Sequence, residues 1–363
     1  MMYQGMAQAD LYANMLSIAE STHDEIIHSS KLKADFFDHD EDPTWSVRVL
    51  GDRRNASFRH LNDDTPRIDC NADAQLASKL DIPKAYYDRM VSKQPELWQT
   101  TCNTWLRDLN KPIMLRQWTN RNGRRALRAI LSDRYRRIDN LDIFKTVLPI
   151  LDEQPKMKIV SAHVDEHNFH LKAVFPEIEG GIGLNDVVQS GLHIRNSETG
   201  NGAFVIQPLT YRLVCLNGMI IPDAALRRTH LGSRIEEGED INWRDETIAA
   251  DDKALMMKIE DVTRQATDES RFTYIVEQLK ESAERTIEVS KAEQVKILTK
   301  KQGLTEQEHN TILEFLHKSD GNTHWDVANA VTSAAGVAND YAQATNLETL
   351  GGKIATTPQL LAA

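Results

Sequence analysis

The sequence has 363 residues, of which 40% are hydrophobic and 27% charged, with a formal net charge of -11. That length predicts one or two domains able to bury a core without disulfides or metals, and the composition excludes wholesale disorder. No run approaches the roughly 20 apolar residues of a transmembrane helix, and the N-terminal stretch lacks the cationic start and apolar run of a secretory signal. Cys70, Cys102 and Cys215 lie far apart with no CxxC pair, which excludes a disulfide framework and fits a reducing cytoplasm.

Residues 6–20 predict a short amphipathic helix with Leu11, Met15 and Ile18 on one side. Residues 21–44, which include the run DHDEDP, read as a polar loop. WSVRVL (45–50) and ASFRHL (56–61) alternate across Gly51-Asp52 and predict a hairpin. Residues 72–109 read as helical, with Pro83 and Pro95 near helix starts.

PIMLRQWT and RALRAIL flank Asn122-Gly123, the dipeptide that a type I′ hairpin turn requires. That turn pairs Arg121 with Arg124, Thr119 with Ala126 and Gln117 with Arg128. Alternation then places Met114, Arg116, Trp118, Leu127, Ala129 and Leu131 on one face, expected to pack on the core. Ile113, Leu115, Gln117, Thr119, Arg121, Arg124, Arg128 and Ile130 fall on the other. A slip of one residue would reverse the assignment.

Residues 141–153 read as a helix, KMKIVSAHV and FHLKAVFP as a strand pair, and EGGIGLND as a glycine-rich turn. GLHIRN and GAFVIQPL flank SETGN as a third hairpin. LTYRLVCLNGMII is apolar and fits a strand or a buried helix; the helix, entering a turn at Asn217-Gly218, is the preferred reading. From about residue 244 the pattern is helical. Phe272, Ile275, Val276, Leu279, Ala283 and Ile287 form one stripe, Thr305 and Glu308 have capping-box spacing, and Thr323 caps a further, buried helix. These elements predict an α+β fold: antiparallel hairpins packed with helices, followed by a helical C-terminal module. The expected division is an N-terminal helix and polar loop (1–39), an α+β body with the Arg-rich hairpin (40–232), and an acidic linker with the helical module (233–363).

Charge is unevenly distributed. Between Arg107 and Arg137 ten basic residues face only Asp108 and Asp133, a local balance of +8 in an acidic chain. Nine of the ten are arginine, the side chain suited to bidentate phosphate contact. Arg116, Arg121, Arg124, Arg125, Arg128, Arg134, Arg136 and Arg137 are the candidate phosphate contacts, with Tyr135 as a stacking ring. A basic groove with interleaved aromatics is how single-stranded nucleic acid is held without sequence preference. Salt bridges within the fold are the competing explanation for the same arginines.

Three weaker signals accompany this one. His163, Asp165 and His167 alternate in HVDEHNFH and could present metal ligands for a metal-dependent hydrolase, although a polar hairpin end explains them as well. Gly180, Gly181 and Gly183 could form an anion nest, but no GxxxxGK[ST] loop is present. Cys215 and His230 could make a nucleophilic pair, although a buried cysteine is the commoner use of such a run. The acidic segment 236–261 suggests a third function, docking of a basic host factor.

RAILSDRYRRIDN in the 125–140 region, GLHIRNSETGNGAFVIQPLTYRLVCLNGM (191–219) and THWDVANAVTSAAGVANDYAQATNLETLGGKI (323–354) together resemble the phage/plasmid-like protein family. That is a family of unknown function found in bacteriophages, prophages and plasmids, and the similarity spans roughly residues 40–355. The resemblance implies a mobile-element gene product and carries no catalytic residue with it. With the charge pattern it gives the expectation of a non-enzymatic protein of the bacterial cytoplasm, without cofactor. Its expected partner is single-stranded nucleic acid, in phage recombination or replication. A homo-oligomer that multiplies the basic patch, and host or phage replication proteins, are the further partners this reading allows; a membrane is not among them.

Overall fold

Two six-stranded sheets, each covered by helices, make up the computed structural model, which describes residues 8–37, 44–49, 67–68, 70–119, 125–135, 137–165, 167–222, 227–228 and 245–361. The first sheet holds β1 (Thr22–His28), β2 (Leu32–Phe37), β3 (Thr44–Val49), β4 (Arg67–Ile68), β5 (Pro112–Thr119) and β6 (Arg125–Ser132) in the order β1-β5-β6-β4-β3-β2. All its pairings are antiparallel except the short β4–β6 contact. The fold is α+β, with a helical C-terminal run.

The stretch 21–44 is not the polar loop its composition suggests, since β1 and β2 fill most of it. Their charged residues suit edge strands, which show one side to solvent and escape a test for apolar alternation. WSVRVL does form a strand, but β3 pairs with β2 and β4; ASFRHL lies outside the described residues. The free edge of β2 is clipped to a helix: Asn103 accepts from the Ala34 amide and donates to the Ala34 carbonyl, both at 2.8 Å.

Three helices cover one face of this sheet: α2 (Cys70–Lys79), α3 (Lys84–Lys93) and α4 (Pro95–Leu109). Pro95 starts α4, where its missing N–H is no loss, and Asn110 ends it in the left-handed region. Ile113, Leu115, Leu127 and Ile130 of the hairpin pack with Leu76, Tyr87, Trp98 and Leu106. The hairpin flanks Asn122-Gly123 as expected, but that turn lies outside the described residues.

The second sheet runs β11-β10-β9-β8-β7, from β7 (Lys158–Val164), β8 (Phe169–Gly183), β9 (Asp186–Asn196), β10 (Phe204–Arg212) and β11 (Asn217–Ile220), with β12 (Arg227–Arg228) also on β10. EGGIGLND is strand as far as Gly183 and turns only at Leu184–Asn185, so its glycines do not form a nest. LTYRLVCLNGMII is two strands and a turn rather than a helix. β10 and β11 are covered on both faces, so their sequence loses the alternation that marks a strand.

One face of this sheet, through Phe169, Leu171, Leu192, Ile194, Phe204 and Ile206, packs on α1 (Gln8–Ser21), α5 (Asn140–Asp152) and α6 (Asp245–Ala266). The remaining helices are α7 (Glu269–Glu284), α8 (Lys291–Gln302), α9 (Glu306–Lys318), α10 (His324–Ala334) and α11 (Tyr341–Thr356). They form a core with Ile182, Val188, Met219 and Ile221 of the second sheet. Both expected caps are present, as full capping boxes at Thr305/Glu308 and Thr323/Asp326. Of the acidic segment 236–261, residues 245–261 belong to α6 and the rest lies outside the described residues. No helix among the described residues is long and apolar enough to cross a membrane.

Candidate functional site

The arginine-rich hairpin and the loop between β9 and β10 meet at a buried polar joint. Asn196, the last residue of β9, and Ser197, Glu198 and Thr199 of the loop that follows are all buried. Most of their polar groups bond to the first sheet, to α2 and to the start of α5. Asn71 and Gln75 of α2 donate to the Thr199 carbonyl at 3.1 and 2.7 Å. Asn196 donates to the Ile138 carbonyl and to the Asn140 side chain.

Glu198 is the centre of the joint. Its carboxylate accepts from the Asn140 amide at 2.7 Å and from Arg128 at 3.2 Å, and its carbonyl accepts from Arg116 at 2.8 Å. The Asn140 amide opens α5, so Glu198 places negative charge on a helix N-terminus. Asp139, the residue at the cap position, makes no side-chain cap; its carboxylate turns to Arg116 at 2.5 Å. Arg116 also donates twice to Asp24, at 2.9 and 3.2 Å. Burial works against the Arg116 charge, but Asp139, Asp24 and Glu198 outweigh it and hold the guanidinium more firmly protonated than usual.

These contacts correct the expectation for two arginines. Arg116 and Arg128 are 2% and 1% exposed and are bound to acids within the fold, so they cannot reach a phosphate. Their burial follows from a β-bulge. Arg116 pairs with Ala129 as the turn predicts, but Gln117 pairs with Leu127, which leaves Arg128 as the extra residue. The slip turns Leu127 to the helix-covered face with Ile113 and Leu115, and brings Arg128 beside Arg116 on Glu198. Tyr135 is no free stacking ring either. It packs on Met114, Ala129 and Leu131, and its hydroxyl donates to the Ser197 carbonyl at 3.4 Å.

The other candidates lie further out. Arg134 and Arg137 are exposed, with Arg137 reaching Asp24 at 3.2 Å. Arg121, Arg124, Arg136 and the side chain of Arg125 lie outside the described residues, as does His230. Cys215 sits on an exposed turn with Arg212 at 3.2 Å from its sulfur, not within a buried helix.

His167 touches the same joint, but His163, Asp165 and His167 are not placed to hold a metal ion. Asp165 accepts from the His167 and Asn168 amides at 2.7 Å and lies 3.2 Å from His163, while His167 lies 3.4 Å from the Thr199 hydroxyl. Burial opposes ionisation of Asp165, but the bonds from His163 and the two amides prevail and hold its carboxyl down at about 2. Among the described residues no group of three His, Cys, Asp or Glu is placed to hold a metal ion.

A second polar seam, missed in the sequence, runs across the sheet under α11. Ser161, Lys172, His193 and Gln207 follow one another on neighbouring strands, and His163, His170 and Arg195 form the next row. Tyr341 and Glu348 of α11 close over them. Tyr341 stacks on His163 at 4.9 Å and meets Ser161 at 2.8 Å; Lys172 lies over its ring and pairs with Glu348, both partners fully buried. Burial, with the charges of Arg195 and Lys172, pushes His170 down to about 3 and His193 well below its usual range. The available signal was a lysine in an otherwise apolar strand, FHLKAVF, and a glutamate on the apolar stripe of α11.

Comparison with known families matches residues 128–348 to a family described as a domain of unknown function, DUF932. Its limits are Arg128 of the joint and Glu348 of the seam, so both networks fall largely inside it. No curated protein and no solved structure matches.

Proposed function

Because the chain belongs to the DUF932 family of unknown function, we propose its role from its own residues: it binds single-stranded nucleic acid, without catalysing a reaction, through the outer cations of the 107–137 segment. The supporting observation is the division of labour within that segment. Arg116 and Arg128 are spent on the joint, which leaves eight basic residues against Asp108 and Asp133. Of these eight, Arg107, Lys111, Arg134 and Arg137 are exposed. Arg134 and Arg137 follow directly on β6, whose Arg128 is tied into the joint, and cations held on a folded base lose less entropy when they meet a phosphate. The resemblance to phage and plasmid proteins favours a role in replication or recombination.

The test is fluorescence anisotropy with a labelled single strand and a duplex of equal length over a salt series. Binding should weaken linearly in log salt, by about 0.7 per phosphate neutralised on a single strand. Joint reversal of Arg121, Arg124, Arg134 and Arg137 to Glu should abolish it while the circular dichroism stays that of the parent. Absence of binding at low salt, or binding indifferent to that reversal, overturns the reading.

A further inference from the structure

At the end of the second sheet, away from the joint, two turns lie side by side and carry aliphatic side chains into solvent. Leu184, in the turn between β8 and β9, is 97% exposed; Leu213, Val214 and Leu216, in the turn between β10 and β11, are 37%, 62% and 41% exposed. The turns are neighbours because the Leu213 amide donates to the Val187 carbonyl at 3.0 Å and Arg212 grips Asp186 through two bonds of 2.6 and 2.7 Å. Trp325 steadies the base: its indole N–H donates to Asp186 at 2.9 Å, and Arg212 lies over its ring.

This knuckle is held in a costly form. Leu216 has φ 53 and Asn185 has φ 60, and a leucine in the left-handed region is strained by about 1–3 kcal/mol. The glycine that would relieve such strain stands two positions later, at Gly218, inside β11. A turn is ordinarily polar; here the residues between Arg212 and Asn217 are Leu, Val, Cys and Leu.

We propose that the knuckle is the contact through which a second copy of this chain docks, about a two-fold axis. Charge selects the occupant. The one acid and one base of the two turns, Asp186 and Arg212, neutralise each other. An isologous contact brings the same patch of both copies together, so a patch without net charge meets its copy without like-charge repulsion. In a chain of net charge -11 an uncharged apolar patch is where two copies approach without repulsion. A nucleic acid or an anionic surface would call for a free cation, and these turns offer none. This interface is independent of the nucleic-acid reading.

Sedimentation equilibrium of the full chain over a range of concentrations tests the proposal. The parent should dimerise, and Val214→Asp and Leu184→Asp, on separate turns, should each raise the dissociation constant about thirtyfold or more, as loss of an interface anchor does. Both side chains face solvent, so an unchanged circular dichroism spectrum should show that the fold persists. A short bismaleimide should join two copies through Cys215, and Cys215→Ser should prevent it. A parent that is monomeric throughout overturns the proposal, as does a dimer unaffected by both aspartates. Binding of a monomer to neutral phosphatidylcholine vesicles through Leu184 and Val214 would give the knuckle to a lipid surface and equally overturn it.

Discussion

Arg116 and Arg128 stand on adjacent strands and converge on one residue, Glu198, the first on its carbonyl and the second on its carboxylate. The hairpin is thereby bolted to the loop that ends β9. Glu198→Ala would take from Arg128 the carboxylate it meets at 3.2 Å and from the first amide of α5 its acceptor. Loss of one partner of a buried pair costs about 3–5 kcal/mol. Urea unfolding should show that loss, and the double variant Glu198→Ala, Arg128→Met should cost less than the sum of the single changes.

The buried Lys172–Glu348 pair tests the attachment of α11 in the same way. Lys172→Met should destabilise by about 3–5 kcal/mol, because burial leaves Glu348 with no solvent to turn to. Pairing it with Glu348→Leu should restore most of the loss. A double variant that costs the sum of the two single changes would show that the two side chains are not coupled.

Acid should loosen the second sheet before carboxylates begin to titrate. His170 and His193 stay neutral in the folded chain well below the ordinary histidine value of about 6.5, so the unfolded chain takes up their protons first. Stability is therefore full above about pH 6.5 and falls as pH drops from there towards 3, by up to about 1.4 kcal/mol per pH unit for each histidine. Arg195, Lys172, His163 and Asp165 surround His170 and set this behaviour. Urea midpoints at pH 7 and 5 should converge in His170→Gln relative to the parent.

Two glycines should respond in opposite ways to alanine. A Cβ on Gly352 would lie 1.9 Å from the Ile220 carbonyl, where α11 crosses β11, whereas one on Gly181 would meet nothing within 4 Å. Gly352→Ala should lower stability by about 1–3 kcal/mol or more, and Gly181→Ala should stay within about 0.5 kcal/mol of the parent. Thermal unfolding of both checks this.

Legibility in the sequence followed physical periodicity. The pairs β7–β8 and β9–β10 were plain because one face of each is continuously apolar. The strands β1 and β2 were hidden by their edge position, and β10–β11 by burial on both sides. At the joint, the residue types were visible but not their use. Whether Arg128 faces solvent or Glu198 depends on a bulge of one residue, and its partner stands 70 positions away. Nothing local to Arg128 records either fact. His167 and the arginines looked like separate signals, yet the loop around Thr199 lies between them.

The strand order of the first sheet bears on how the chain is made. The strands β5 and β6, which join β1 to the rest of the sheet, are the last of the six to be synthesised, and β1 waits for β5 from Thr22 to its partner Trp118. At about 5–20 residues per second that interval is on the order of 5–20 s. Throughout it, the nascent chain holds β1 apart from β2, β3 and β4, while α2, α3 and α4 emerge before β5 can join them. A ribosome stalled before Thr119 would therefore present an open sheet rather than a smaller folded one, and such a fragment is a natural client for a chaperone that shields strand edges.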